Sequence, residues 1–600
     1  MHITHIKKGA LLLFALAGVL TQAIPTARTS SPPPPQQFPP INVSSSKVPS
    51  DITPPASLQS AAIFAWQEFI ALNWPAVPQT GQLNTRETPD TSKKFGDPNY
   101  NGPLVWHTTR GKVEIFPGTG NPPGYVNNAA QSYGYDAAPQ YIYQPGSVAS
   151  GGVGTPSGQV QPFNLTPRLI VRQPPWINLD ENSEIGVTTM YAGNASGLPV
   201  PGTMILFMAK ANRTEYNYVA ANGWWSNSSS SRNNAITNTQ TYVQTRKQDP
   251  PPGSSTYVSF PNGTIELKAA WRRLTPTEIK SKRFYMTRVR YYREKSNGAP
   301  GYVDDVFGLL ALHIIQKTPS APYFIYATFS QADNLLTANG QPVEDVNGKL
   351  LQNQTAPPTA PLVVSKNATS ANPATPSSVQ SFTPLVAPPQ PQTKRLYYIN
   401  TPVPPPATPT PIPWTQPNTQ GKVSLNKRIN DIPTDIIGVN QSAHAAIAAY
   451  NQSNGIANSP WLYYKLVNVQ YQPYDKQPGI TYTGAPGGPL ASTYYQSNEV
   501  VESDYTLQVF SGQFQPQLPS PNQNFNTGNL ITDYNTDGTV FKNVSYNGRG
   551  YLMGGCMGCH GNIQQKGFNF SFIFAGGNVP RPETTNPPTS LPKFFKLLAN

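Results

Sequence analysis

Leu309-Leu310-Ala311-Leu312-His313-Ile314-Ile315-Gln316, followed after Lys317-Thr318-Pro319-Ser320-Ala321-Pro322 by Tyr323-Phe324-Ile325-Tyr326-Ala327-Thr328-Phe329, is the stretch on which the fold turns. Both runs are short and apolar on both faces, so they read as two central strands of a covered sheet rather than as amphipathic edges. Upstream, Phe284 to Tyr292 reads as a further strand with Met286, Val289 and Tyr291 among its apolar positions. Thr256 to Phe260 and Ile265 to Trp271 flank Pro261-Asn262-Gly263-Thr264, where Asn-Gly signals a hairpin turn. Downstream, strands are expected at Arg395 to Ile399, Trp461 to Tyr471 and Phe568 to Phe574. Helices are few. Ser57 caps one in which Leu58, Ala62, Ala65, Phe69 and Leu72 recur at helical spacing until Trp74-Pro75, and a second lies around Ser442 to Tyr450. The expected class is α+β, a β-rich core of mainly antiparallel strands with a few helices and long Pro/Asn/Ser-rich loops.

Punctuation in composition sets the boundaries. Lys7 and Lys8, the apolar stretch Ala10 to Leu20 and small residues at Thr21-Gln22-Ala23 make residues 1–23 a secretory signal peptide. Residues 24–55 form a Pro-rich leader, 56–338 a β-rich domain with an N-terminal helix, 339–392 a low-complexity insertion or linker, and 393–600 a C-terminal region. The protein is therefore expected in the periplasm or outside the cell, with no membrane span once the signal is removed. Only 12% of its 600 residues are charged, yet the formal charge is +13, or +11 without Lys7 and Lys8. That excess suits docking to partners with acidic surfaces. No basic run with interleaved aromatics is present, which argues against nucleic acid.

The chemistry is concentrated in Cys556-Met557-Gly558-Cys559-His560, which holds both cysteines of the chain. This is the attachment pattern of a c-type haem: two thiols bond the vinyl groups, and the next histidine supplies an axial nitrogen to the iron. One covalent haem c is expected, anchored by Cys556 and Cys559 with His560 as proximal ligand. The competing reading is a CxxC disulfide in a secreted structural protein, in which the histidine has no role.

No Met or His follows His560, so a second axial ligand has to come from upstream or the sixth position is open. A fixed ligand favours outer-sphere single-electron transfer between redox partner proteins; an open site favours peroxidase-like or sensor chemistry. The upstream candidates are His313 in its apolar strand, His107 after Trp106 at a strand end, and His444 on an Ala-rich helix, each weighed against a buried or capping histidine. Met204 and Met208 share a strand face with Leu206 and read as packing. Asp533-Tyr534-Asn535-Thr536-Asp537-Gly538 matches the start of a calcium loop, but its twelfth position is Val544.

Trp66-Gln67-Glu68-Phe69-Ile70-Ala71-Leu72-Asn73-Trp74-Pro75, Leu312-His313-Ile314-Ile315-Gln316-Lys317-Thr318 with Ala327-Thr328-Phe329, and the CxxCH with Phe570-Ser571-Phe572 together resemble a group of large exported bacterial proteins of the cytochrome c family. The resemblance runs in patches from Ala61 to Phe574 and implies haem binding and electron transfer. Where that group carries an acidic residue and a histidine after the Ala-Thr-Phe strand, this chain has Ser330 and Gln331, so a role for that histidine is not carried over.

Overall fold

The apolar run at Leu309–Gln316 is the second half of a 17-residue strand, and the main sheet is assembled around it. The computed structural model describes residues 38, 40–77, 82–118, 120–139, 176–182, 189–193, 203–246, 249–294, 300–336, 342–351, 395–399, 422–424, 432–471, 498, 500, 544–546, 549–551, 555–579 and 582–585. The leader to residue 37, the methionine at 553 and the calcium-like loop Asp533–Gly538 lie outside the described residues.

The strands are β1 (Arg110–Gly111), β2 (Ile177–Leu179), β3 (Thr189–Gly193), β4 (Thr203–Met204), β5 (Leu206–Ala211), β6 (Ile265–Arg272), β7 (Met286–Glu294), β8 (Pro300–Gln316), β9 (Ile325–Gln331), β10 (Arg395–Ile399), β11 (Lys422–Ser424), β12 (Tyr464–Gln470), β13 (Val544–Tyr546) and β14 (Arg549–Tyr551). The helices are α1 (Leu58–Leu72), α2 (Lys112–Ile115), α3 (Arg213–Asn222), α4 (Ser230–Arg246), α5 (Pro276–Ser281), α6 (Thr434–Asn454), α7 (Gly555–Gln565) and α8 (Phe572–Gly576).

The main sheet runs β1-β5-β6-β8-β7-β2, with β9 on β8 and β12 on β9. Every pair is antiparallel except β2 with β7. A bridge between Glu181 and Phe207 returns the end of β2 to β5, so five of the strands nearly close into a barrel. The first half of β8 pairs with β7 inside that ring, and its second half lies between β6 and β9. Flanked on both edges and covered on both faces, this half has no solvent side, which explains a run that is apolar but for His313 and Gln316. The α+β, mainly antiparallel reading stands. Because β12 pairs with β9, residues on both sides of 352–394 build one sheet.

Directly paired residues share a face of the sheet. One face carries Ala269–Leu312–Phe329–Leu466 and, one row on, Leu267–Ile314–Ala327–Val469. Helices α1 and α6 cover it. Ser57 caps α1 in a capping box with Ser60. From α1, Trp66 and Phe69 lie edge-on and stacked on Phe329, with ring centres 5.1 and 4.3 Å away. Trp66 Nε1 donates to Asn440 Oδ1 of α6 at 2.8 Å.

Two expected strands are absent. Residues 256–260 form an irregular segment, because their backbone donors are taken by side chains: Val258 by Thr239, Ser259 by Tyr218 and Phe260 by Asn569. Phe568–Phe574 is a tight turn leading into the one-turn helix α8, capped by Ser571. Its aromatic content mimicked a strand, but Asn569 and Phe570 both adopt left-handed backbone (φ +46° and +67°), which a strand does not tolerate. His107 sits on a 3-10 turn (Val105–Thr108), not at a strand end.

Candidate functional site

The opposite face of the sheet is polar where the first is oily. One row reads Lys268, His313, Thr328, Asn468 across β6, β8, β9 and β12; the next reads Glu266, Ile315, Tyr326, Gln470. Polar groups on a buried sheet face need partners from whatever covers them, and the cover is the CxxCH helix α7. Gln470 Oε1 accepts the Met557 N–H at 2.6 Å, anchoring the start of α7 over β12. At its other end Gln564 Nε2 donates to Asp249 at 2.7 Å.

Cys556 and His560 stand four apart on α7, hence on one helix face. Cys556 and Met557 are buried and His560 half-buried. The side chain of Cys559 lies outside the described part of the structure. His560 Nδ1 is 2.6 Å from the carbonyl oxygen of Phe570. A carbonyl only accepts, so Nδ1 carries the proton and the lone pair of the neutral ring sits on Nε2, the tautomer a metal requires. The Phe572 ring meets the imidazole edge-on at 4.8 Å and is itself 37% exposed, so the site lies near the surface.

The clamp on His560 depends on the turn 567–571. Gly567 has φ +88°, and a Cβ there would lie 2.3 Å from Ile236 O of α4, so only glycine admits this approach of two backbones. Asn569 Oδ1 accepts from the Phe260 N–H at 2.8 Å and from Lys317 Nζ at 2.9 Å. These bonds hold Asn569 and Phe570 in a conformation non-glycine residues avoid, and the Phe570 carbonyl is thereby aimed at the imidazole.

The fold brings His313 and His560 together from 247 positions apart in the chain. Their ring centres are 6.0 Å from one another at an interplanar angle of 41°. Two imidazoles on opposite sides of one metal place their ring centres about 6 Å apart, from metal–nitrogen bonds of about 2 Å and about 1 Å more to each ring centre. The ring-centre separation is therefore compatible with one metal between sheet and helix. Tyr326, also on this face, lies 4.9 Å from the His560 ring and 6.3 Å from the His313 ring. Closer to His560 and nearly parallel to His313 at 19°, its ring borders the space between the two imidazoles.

The other candidates do not reach this place. His444 engages Asn347 Oδ1 at 2.7 Å and Tyr464 O at 2.8 Å through its two ring nitrogens, and burial pushes its pKa down to about 4. It ties α6 to β12, and as a neutral ring it donates to only one of these two oxygens. His107 is buried against Trp106, with Nδ1 accepting the Leu104 N–H at 3.3 Å. Met204 and Met208 belong to β4 and β5. Tyr326 and Gln470 are the site residues sequence reading missed; pairing register, once β9 was known to lie beside β8, would have put them on the face of His313.

No family model matches the chain, and neither a curated protein nor a solved structure matches it. No helix among the described residues is long and apolar enough to cross a membrane.

Proposed function

We propose that this protein is an exported monohaem c-type cytochrome that passes single electrons between redox partners outside the cytoplasm. Cys556 and Cys559 hold the porphyrin covalently, His560 binds the iron from α7, and His313 binds it from β8. The observation that carries the reading is the meeting of two histidine rings at 6.0 Å, one from the CxxCH helix and one from the sheet. The bound group supplies one-electron redox chemistry. The chain supplies the rest. The Phe570 carbonyl fixes the His560 tautomer and makes its nitrogen more basic. The sheet holds His313 within a rigid central strand, so the two donors keep their separation through a change of charge. Exposure of Phe572 beside His560 gives a partner with an acidic surface a short approach to the site.

A pyridine haemochrome of c type after acid–acetone extraction of the purified exported chain tests the cofactor; a colourless chain removes the reading in favour of the disulfide alternative, and haem lost to extraction removes its covalent attachment. The ferric spectrum tests the second ligand. Wild type is expected low-spin, and His313→Ala high-spin with a band that shifts on adding azide. A wild type that is already high-spin and azide-sensitive replaces the carrier with a haem enzyme or sensor whose sixth position is open.

A further inference from the structure

The residues that grip His560 are themselves held from across the site, by the connection that follows β8. Lys317, directly after the strand, is fully buried and fixed at both ends. Its N–H donates to Thr264 O at 2.9 Å and its carbonyl accepts the Gly263 N–H at 2.7 Å, which pins its backbone to the turn before β6. Its ammonium donates to Asn569 Oδ1 at 2.9 Å and, more weakly, to Ser259 Oγ at 3.4 Å. It also stands 5.8 Å from the centre of the Phe324 ring. Phe324, just before β9, lies 6.3 Å from the Phe570 ring. The β8–β9 connection therefore meets both residues of the left-handed pair, Asn569 through the Lys317 ammonium and Phe570 through the Phe324 ring.

A buried ammonium is costly even when it is hydrogen-bonded, whereas a methionine of similar length fills such a space without that cost. Fold stability alone gives little reason for a lysine here. What the lysine adds is direction. Two donors, Lys317 Nζ and the Phe260 N–H, meet at Asn569 Oδ1. They fix the side chain, and with it the backbone that presents the Phe570 carbonyl to His560 Nδ1 at 2.6 Å. His313 lies on β8 four residues before Lys317. One strand thus reaches the site from both sides: directly through His313, and by way of Lys317 and Asn569 through the grip on His560.

We infer that Lys317 and Asn569 are positioning residues for His560, and that through the Phe570 carbonyl they set how strongly this imidazole donates to the iron, and hence the reduction potential. This rests on the haem reading above. A carbonyl held on Nδ1–H leaves more electron density on Nε2, which favours the ferric ion. Freeing the carbonyl weakens that donation and raises the potential.

The test uses the full exported chain with isotope-labelled histidine. Asn569→Gly is the informative variant, because glycine takes the left-handed backbone at no steric cost while lacking the oxygen that Lys317 and Phe260 grip. Exchange of the His560 Nδ1 proton with solvent is expected to quicken about tenfold, the worth of one hydrogen bond, and the potential to rise. The amide of Met557, bonded to Gln470 at the other end of α7, serves as control and is expected to keep its wild-type exchange. Asn569→Asp keeps an oxygen for both donors and is expected to restore slow exchange at His560. Lys317→Met, which leaves the Phe260 bond to Asn569 in place, is the second variant should Asn569→Gly not fold, and is expected to quicken the same proton. An Nδ1 proton that exchanges as in wild type in both variants, equal quickening at Met557, or a potential that stays or falls in Asn569→Gly overturns the inference. Absence of a c-type haemochrome removes the haem reading and the potential with it, and exchange at His560 then decides the positioning role alone.

Discussion

At the scale of single residues, the molecule places ionisable groups where solvent cannot reach them and lets neighbours decide their state. Glu266 shows the consequence for stability. Its pKa is raised from 4.5 to about 7, chiefly by burial. The folded chain therefore holds a proton over a range in which the unfolded chain has released it, so this group's contribution falls as pH rises from about 4.5 to about 7. A rise of that size corresponds to about 3 kcal/mol. Glu266→Gln is expected to flatten the stability profile across this window by up to that amount, read as denaturation midpoints at pH 5 and pH 8. Parallel profiles for the two proteins would count against a raised pKa at Glu266.

At the scale of elements, the turn between α7 and α8 does the positioning. Gly567→Ala sets a Cβ against the α4 backbone at a positive φ, so a loss of about 1–3 kcal/mol is expected, together with weaker retention of order around His560. Thermal unfolding and the ferric spectrum check both parts. This turn was also where the sequence misled. Phe568, Phe570, Phe572 and Phe574 alternate as a strand would, and nothing local announces that Asn569 is held by Lys317, distant in the chain. The β8 and β9 strands were legible because apolar runs bounded by Pro-rich turns carry their own signal. α1 was legible from its period and its cap. The partners of His313 on the polar face were not, because they are set by pairing register: Lys268 and Thr328 lie 45 and 15 positions from it, β12 joins β9 from more than a hundred positions on, and no local pattern encodes that.

At the scale of the whole molecule, the sheet separates a structural side from a chemical side. Asn440 belongs to the first: its Oδ1 accepts from Trp66 Nε1 and the Leu466 N–H, and its Nδ2 donates to Asn347 O and Leu466 O. Asn440→Ala strands several buried groups at once and is expected to destabilise the fold by about 2–4 kcal/mol. The coordination spectrum of the folded fraction should stay that of wild type, since α6 lies across the sheet from α7. A changed spectrum would mean that the two faces are not independent.

The late arrival of β12 sets an order of events. β9 has one neighbour in β8, but the other waits until about 130 further residues have emerged. Pairings of such long range form slowly, since the intervening chain must be closed into a loop first. Cys556 comes later still, on a helix that can seat only after Gln470 is in place. Until Gln470 is in place the thiol of Cys556 stands on an unfinished body, and its burial closes that interval.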